Sequence, residues 1–266
     1  MRRITWLGTF LLLTAGWAPL RSSADTPLQE NFDSYAIDAE LPVGSWLWTL
    51  DNVLPANGTA KIQNSLILPA TGNKALEITD VSVASDSTMR IYLSSTDLEN
   101  RNGANGIQKG TVQIDYVSKA ANINQWHSIR LVDDQAAPGG TPADNDTICT
   151  VIFTASGAIR LQTRNAANTA NINTDSPAYS LNTPYRFLFT FDKSDRSLTV
   201  VVKDGATFDN TFVTVTGCFR SSDAGFKGLR DIWICGGSTN TPMFQLDNII
   251  VTDTGASGVK DWRSLD

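Results

Sequence analysis

Short runs in which apolar and polar residues alternate recur along this chain, each bounded by Gly, Asn, Asp, Ser or Pro. They are STMRIYLSS (87–95), GTVQIDYVS (110–118), WHSIRLVDD (126–134), TICTVIFTA (147–155), AIRLQTRN (158–165), YRFLFTFD (185–192), SLTVVVKD (197–204), TFVTVTG (211–217), RDIWICG (230–236) and FQLDNIIVT (244–252). A period of two sends successive side chains to opposite faces of a strand, and few stretches carry the 3.6-residue period of a helix. Connections such as ENRNGANG and QAAPGGTPADND hold turn formers. Roughly ten strands with no internal repeat and no linker predict an all-β fold, one antiparallel two-sheet β-sandwich. NAANTANINTDS (165–176) reads as a loop.

The first 24 residues stand apart from this pattern. Arg2 and Arg3 precede the apolar run TWLGTFLLLTAGWA, and Ser22 and Ala24 offer small residues at a cleavage position. That is the form of a secretory signal peptide, 1–24. No later run approaches the ~18 apolar residues of a span, so no membrane span is expected in the mature chain. Residues 25–255 then form one domain and 256–266 a flexible tail, in a protein that is secreted, periplasmic or at the cell surface. Losing Arg2, Arg3 and Arg21 takes the formal charge from −6 to −9. A nucleic-acid partner calls for a basic footprint, so none is expected.

Export permits a disulfide, and Cys218 and Cys235 are the candidate pair. Cys149, inside an apolar strand, reads as a small buried hydrophobe. With one histidine and no CxxC, a zinc site is not expected.

The segments YRFLFTFDKSDRSLTVVVKDG and GLRDIWICGGSTNTPMFQLDNIIV resemble the central hairpin and closing strands of laminin-G-like and concanavalin A-like jelly-roll domains. ENFDSY near the mature start is similar to the first strand of their exported bacterial members. The resemblance implies a jelly roll whose first and last strands are neighbours. It also implies a structural Ca2+ at the place where Glu30, Asp33 and Asp247 would meet, an oxygen-rich set of the kind calcium takes. The other reading of Asp247 is a carboxylate that caps the strand edge by accepting backbone N–H groups.

Alternation places Arg90, Tyr92, Gln113, Trp126, Arg130, Arg160, Gln162, Arg164 and Arg186 on faces turned away from the core. Rings can cover a pyranose while Arg and Gln bond hydroxyls or carboxylates. The first eight therefore form the candidate ligand-binding set, for a polysaccharide or cell-surface glycan and in particular an anionic one. In the resembled folds the concave sheet usually holds the glycan.

Catalytic motifs are sparse. Neither the Glu-x-Asp-x-x-Glu strand of jelly-roll hydrolases nor a Gly-x-Ser-x-Gly elbow occurs. Gln125-Trp126-His127 matches the Gln-x-His spacing of jelly-roll alginate lyases, but their late tyrosine is missing. Two readings follow: a non-catalytic carbohydrate-binding module, or a polysaccharide lyase acting by β-elimination on a uronate. The lyase would use Arg90 against the carboxylate and His127 or Tyr92 to move the proton. His127 shares a face with Ile129 and Leu131, which favours the core and the first reading.

Overall fold

The computed structural model describes residues 25–40, 47–51, 58–67, 72–80, 90–94, 97–98, 101–102, 105–119, 127–133, 146–167, 169–221, 226–235 and 242–255. The expected leader and tail lie outside these. The described residues form fifteen strands: β1 (Asp25–Glu30), β2 (Leu47–Asp51), β3 (Gly58–Asn64), β4 (Lys74–Asp80), β5 (Arg90–Ser94), β6 (Lys109–Ser118), β7 (His127–Val132), β8 (Thr147–Phe153), β9 (Ala158–Arg164), β10 (Asn171–Ala178), β11 (Pro184–Asp192), β12 (Ser197–Asp204), β13 (Asn210–Cys218), β14 (Asp231–Cys235) and β15 (Met243–Asp253). Their order is β2-β5-β14-β7-β8-β9-β13-β12-β11-β6-β15-β4-β3, with β10 beside β9 and β1 beside β15. Every pairing is antiparallel.

This sheet curls until its two halves face each other, joined at a narrow seam where Cys218 of β13 pairs with Arg164 of β9. Ile91, Ile129, Val151 and Leu161 from one half meet Ile78, Ile114, Phe187 and Leu246 from the other in a single core. His127 spans the two layers. Its ring lies flat between Phe153, at 4.1 Å and 7°, and Phe244, at 4.5 Å and 11°. Its Nε2 is 2.9 Å from the Tyr116 hydroxyl. Burial pushes its pKa down to about 3, so the ring is neutral at physiological pH.

The strand FQLDNIIVT shows why an acid and an amide stand at its centre. Phe244 and Leu246 point into the core, and so do Ile249 and Val251, which strict alternation does not allow. The register against β6 shifts between Asp247 and Ile250, and Asn248 sits at φ 45°. A bulge absorbs the extra residue, and Asn tolerates the left-handed backbone it needs. Asp247 and Asn248 are thereby delivered to the outer face.

Five strands lie outside the ten alternating runs. β3 and β4 carry Lys61, Gln63, Glu77 and Thr79 at their outer positions. Residues 165–176 do not form a loop throughout: β10 pairs with β9 from Asn171 to Ala178. Its sequence hides this because Ser176 is its only buried residue, leaving no apolar alternation to read. ENFDSY is where β1 ends rather than a strand of its own, since Phe32 takes φ 59° and a turn follows. The Cys218–Cys235 bridge is not formed. Neither cysteine is in a disulfide, because β13 and β14 are separated by β7, β8 and β9 in the sheet.

Candidate functional site

Outward positions on β5, β14, β7, β8, β9 and β10 align across the strands. One row of directly opposed residues runs Tyr92, Trp233, Arg130, Thr150, Gln162, Asn173. A second row beside it runs Arg90, Cys235, Ser128, Ile152, Arg160, Asp175. Six strands spaced ~4.8 Å apart make each row about 24 Å long. The expected residues Arg90, Tyr92, Arg130, Arg160, Gln162 and Arg164 therefore share one sheet face.

The row is not uniform. Tyr92 and Trp233 are each 1% exposed, so neither ring offers an open surface to a sugar, contrary to the stacking role expected of Tyr92. They form a floor instead. The Arg130 guanidinium lies 4.9 Å above the Trp233 ring, an arrangement in which the ring quadrupole attracts the cation. Next to it, Thr150 Oγ1 accepts a hydrogen bond from Arg220 Nη1 at 2.7 Å. Arg164 Nη1 donates to the Arg220 carbonyl at 3.4 Å. Arg160 donates from Nε and Nη2 to Asp175 at 2.7 and 2.8 Å, and those bonds hold the Asp175 carboxyl below its ordinary range.

Trp233 Nε1, Gln162 Oε1 and Arg164 Nε are among the buried polar atoms on this face with no hydrogen-bond partner among the described residues. Each such group costs about 1–3 kcal/mol when left unmatched. Arg130, Gln162 and Arg164 are half-buried, and guanidinium and amide groups are chemically suited to hydrogen-bond a polar ligand.

Other expected residues fall elsewhere. Gln113 lies on β6 in the opposite half of the sheet, where Nε2 donates to the Asn248 carbonyl at 3.4 Å. It does not join the row. Trp126 lies outside the described residues. His127 is fully buried, so it cannot reach a substrate, and with Tyr92 also buried the lyase set of His127, Tyr92 and Arg90 is not assembled. The sequence reading passed over Trp233, Thr150 and Arg220. Alternation in RDIWIC already sets Trp233 opposite Ile232 and Ile234. Arg220 follows the end of β13, where periodicity carries no signal.

The terminal carboxylates do converge as strands: Glu30 of β1 stands opposite Ile249 of β15. As ligands they do not. Glu30 accepts from the Phe32 N–H at 2.6 Å and the Tyr35 hydroxyl at 3.0 Å. Asp33 accepts from the Lys74 N–H at 2.8 Å and Asn31 Nδ2 at 3.1 Å. Asp247 accepts from the Asn248 N–H at 2.7 Å and the Ser65 hydroxyl at 3.3 Å. Among the described residues no three His, Cys, Asp or Glu side chains are grouped to hold a metal ion. This donor set does not fit the six to eight oxygens of calcium.

No protein-family model matches the chain, and no curated protein matches it. Solved structures do. The chain is similar to a sialidase (12% identity, TM-score 0.51), covering 86% of its own length and 19% of the sialidase. It is similar to the catalytic domain of a glycoside hydrolase family 131 protein from Coprinopsis cinerea, at 11% identity and TM-score 0.50. That match covers 83% of this chain and 91% of the other. The binding domain of botulinum neurotoxin DC, solved with rat synaptotagmin II, matches at 6% identity and TM-score 0.50, over 85% and 47% of the two chains. What they share with this chain is the fold, an all-β jelly roll of the concanavalin A-like kind. No helix among the described residues is long and apolar enough to cross a membrane.

Proposed function

We propose that this chain is an exported carbohydrate-binding jelly roll that holds polysaccharide on the outer face of β7, β8 and β9, through Arg130, Gln162 and Arg164. The observation that carries the reading is the gathering of the half-buried Arg130, Gln162 and Arg164 on one sheet face, with Arg130 braced on tryptophan. Hydroxyl-rich ligands supply the donors and acceptors such a face needs, and planar amide and guanidinium groups suit them. Two of the fold neighbours are, by name, a sialidase and a glycoside hydrolase, which agrees with a sugar ligand. Export rests on the basic and apolar start of residues 1–24.

The test is affinity electrophoresis of the chain through gels cast with different polysaccharides. Retardation by at least one is expected, with affinity falling about tenfold on Gln162→Ala through loss of a hydrogen bond of ~1.4 kcal/mol. Because Glu30, Asp33 and Asp247 each bond to protein donors, the retardation is expected to be equal with calcium and with chelator. Unchanged mobility in every gel would refute the assignment.

A further inference from the structure

A strand at the margin of a sheet presents unpaired N–H and C=O groups, and proteins blunt such margins with proline, charge, bulges or a covering loop. Three edges of this sheet show those devices. β1 carries Pro27, and its register against β15 shifts between Asp25 and Leu28. β10 carries Asp175 and Pro177, with a shift between Asp175 and Ala178. β3 is covered by the segment before it. The Asp38 N–H donates to the Ile62 carbonyl and the Ile62 N–H to the Ala39 carbonyl, both at 2.9 Å, and Lys61 pairs with Glu40.

β13 is different. It pairs with β12 from Asn210 to Cys218. Its other edge meets a strand among the described residues only at Cys218, opposite Arg164. That end is closed at Gly217, where a Cβ would lie 2.9 Å from Thr163 Oγ1 and 3.0 Å from the Arg164 carbonyl. The register against β12 shifts between Val202 and Lys203, so a bulge at Phe212 bends the opposite end. Between the two, residues 213–216 read Val-Thr-Val-Thr, all β-branched and suited to a strand. None of the nine residues of β13 is charged and none is proline. Thr214 and Thr216 are exposed, while Val213 and Val215 pack against the core.

What fits this edge follows from its chemistry. A partner must bring an extended, uncharged segment with its own backbone groups unpaired. β13 is itself such a segment. The chain carries a formal charge of −6, so two copies approach with least repulsion along a neutral margin. The outer face behind the edge is neutral as well: Thr216 and Thr214 stand opposite Thr199 and Val201 of β12, and Thr190 and Leu188 of β11 come next. Antiparallel pairing of identical strands sets threonine with threonine outside and valine with valine inside, so the core continues across the junction.

We propose that the open edge of β13 pairs with the same edge of a second copy, antiparallel about a two-fold axis within 213–216. Such a contact is isologous and closes as a dimer instead of growing into a fibre. The pairing does not depend on the carbohydrate reading above.

The experiment is sedimentation equilibrium of the chain over a range of concentrations, beside two double variants. One carries Thr214→Lys with Thr216→Lys, the other Thr214→Asp with Thr216→Asp. The wild type is expected to pass from monomer to dimer as concentration rises. Either variant alone should weaken the dimer about tenfold or more, since like charges then meet across the axis. Mixing the two in equal amounts should restore association, because Lys then faces Asp. Both positions are exposed, so each variant is expected to fold, and a thermal melt checks it. If a double variant fails to fold, Thr214→Lys and Thr214→Asp alone carry the same comparison. A wild type that stays monomeric throughout, or a dimer equally tight in every variant, overturns the pairing. Weakening in both variants without restoration on mixing places β13 against a different surface and overturns the two-fold arrangement.

Discussion

Arg186→Ala is expected to destabilise the fold by about 3–5 kcal/mol, the loss seen when one partner of a buried pair is removed. Asp115, its partner, is completely buried on β6 and receives both guanidinium bonds at 2.7 Å. A third bond, from Asn248 Nδ2 at 3.1 Å, reaches the same carboxylate. Removing Arg186 leaves that buried carboxylate with the Asn248 amide. The guanidinium also covers the Phe208 ring at 4.1 Å, so packing is lost along with charge. Asp115→Asn in the Arg186→Ala background removes the stranded charge and should restore part of the loss. Urea denaturation of the two variants measures it, and a loss under 1 kcal/mol for Arg186→Ala would show the pair to be dispensable.

A second large effect concerns acid and base stability, where two buried groups oppose each other. Asp247 is driven up to about 7, first by burial and then by the nearby Asp115 and Asp33 carboxylates, against the bonds from Asn248 and Ser65. Arg186, whose own pKa is raised in part by Asp247, is the cation on that side. A carboxyl raised in the fold adds stability that is present in acid and lost as pH rises from about 4 through 7. His127, lowered to about 3 by burial, does the reverse: the unfolded chain takes up its proton first, so stability rises with pH from about 3 to 6.5. Each effect is worth up to about 4 kcal/mol at 1.36 kcal/mol per pKa unit. Their windows overlap, so together they nearly cancel. Denaturation of the wild type should vary little from these two groups between pH 4.5 and 6.5. Relative to wild type, Asp247→Asn should gain stability as pH rises, and His127→Phe should lose it. The flanking rings Phe153 and Phe244 accommodate that aromatic replacement. Parallel profiles for all three proteins would contradict the burial assigned to both groups.

How far the sequence alone reveals this molecule follows from what periodicity encodes. Alternation names the face of a residue correctly: Arg130, Arg160, Gln162 and Arg164 leave the core as the sequence implied. Alternation does not name the neighbour. Gln113 has the same signature as Gln162 yet lies in the other half of the sheet, because strand order comes from long-range pairing that a single chain does not display. The same limit separated Cys218 from Cys235. Asp247 interrupts the alternation of its strand because of a bulge set by the backbone at Asn248, and a bulge erases the period by which strands are read. β10 was invisible because an exposed edge strand needs no apolar residues, only partners for its backbone. Finally, whether an aromatic ring is a platform or a floor depends on what lies above it. Tyr92 looked like the former and is the latter.

The central claim is that the outer face of β7, β8 and β9 binds saccharide. Its most direct test is a glycan array carrying neutral and anionic polysaccharides, probed with the full chain and with an Arg130→Ala, Gln162→Ala, Arg164→Gln triple variant of equal urea stability. The face described above predicts a restricted set of bound glycans, with the triple variant losing them all. An array on which the wild type binds nothing, or on which the triple variant binds the same glycans as strongly, would contradict it.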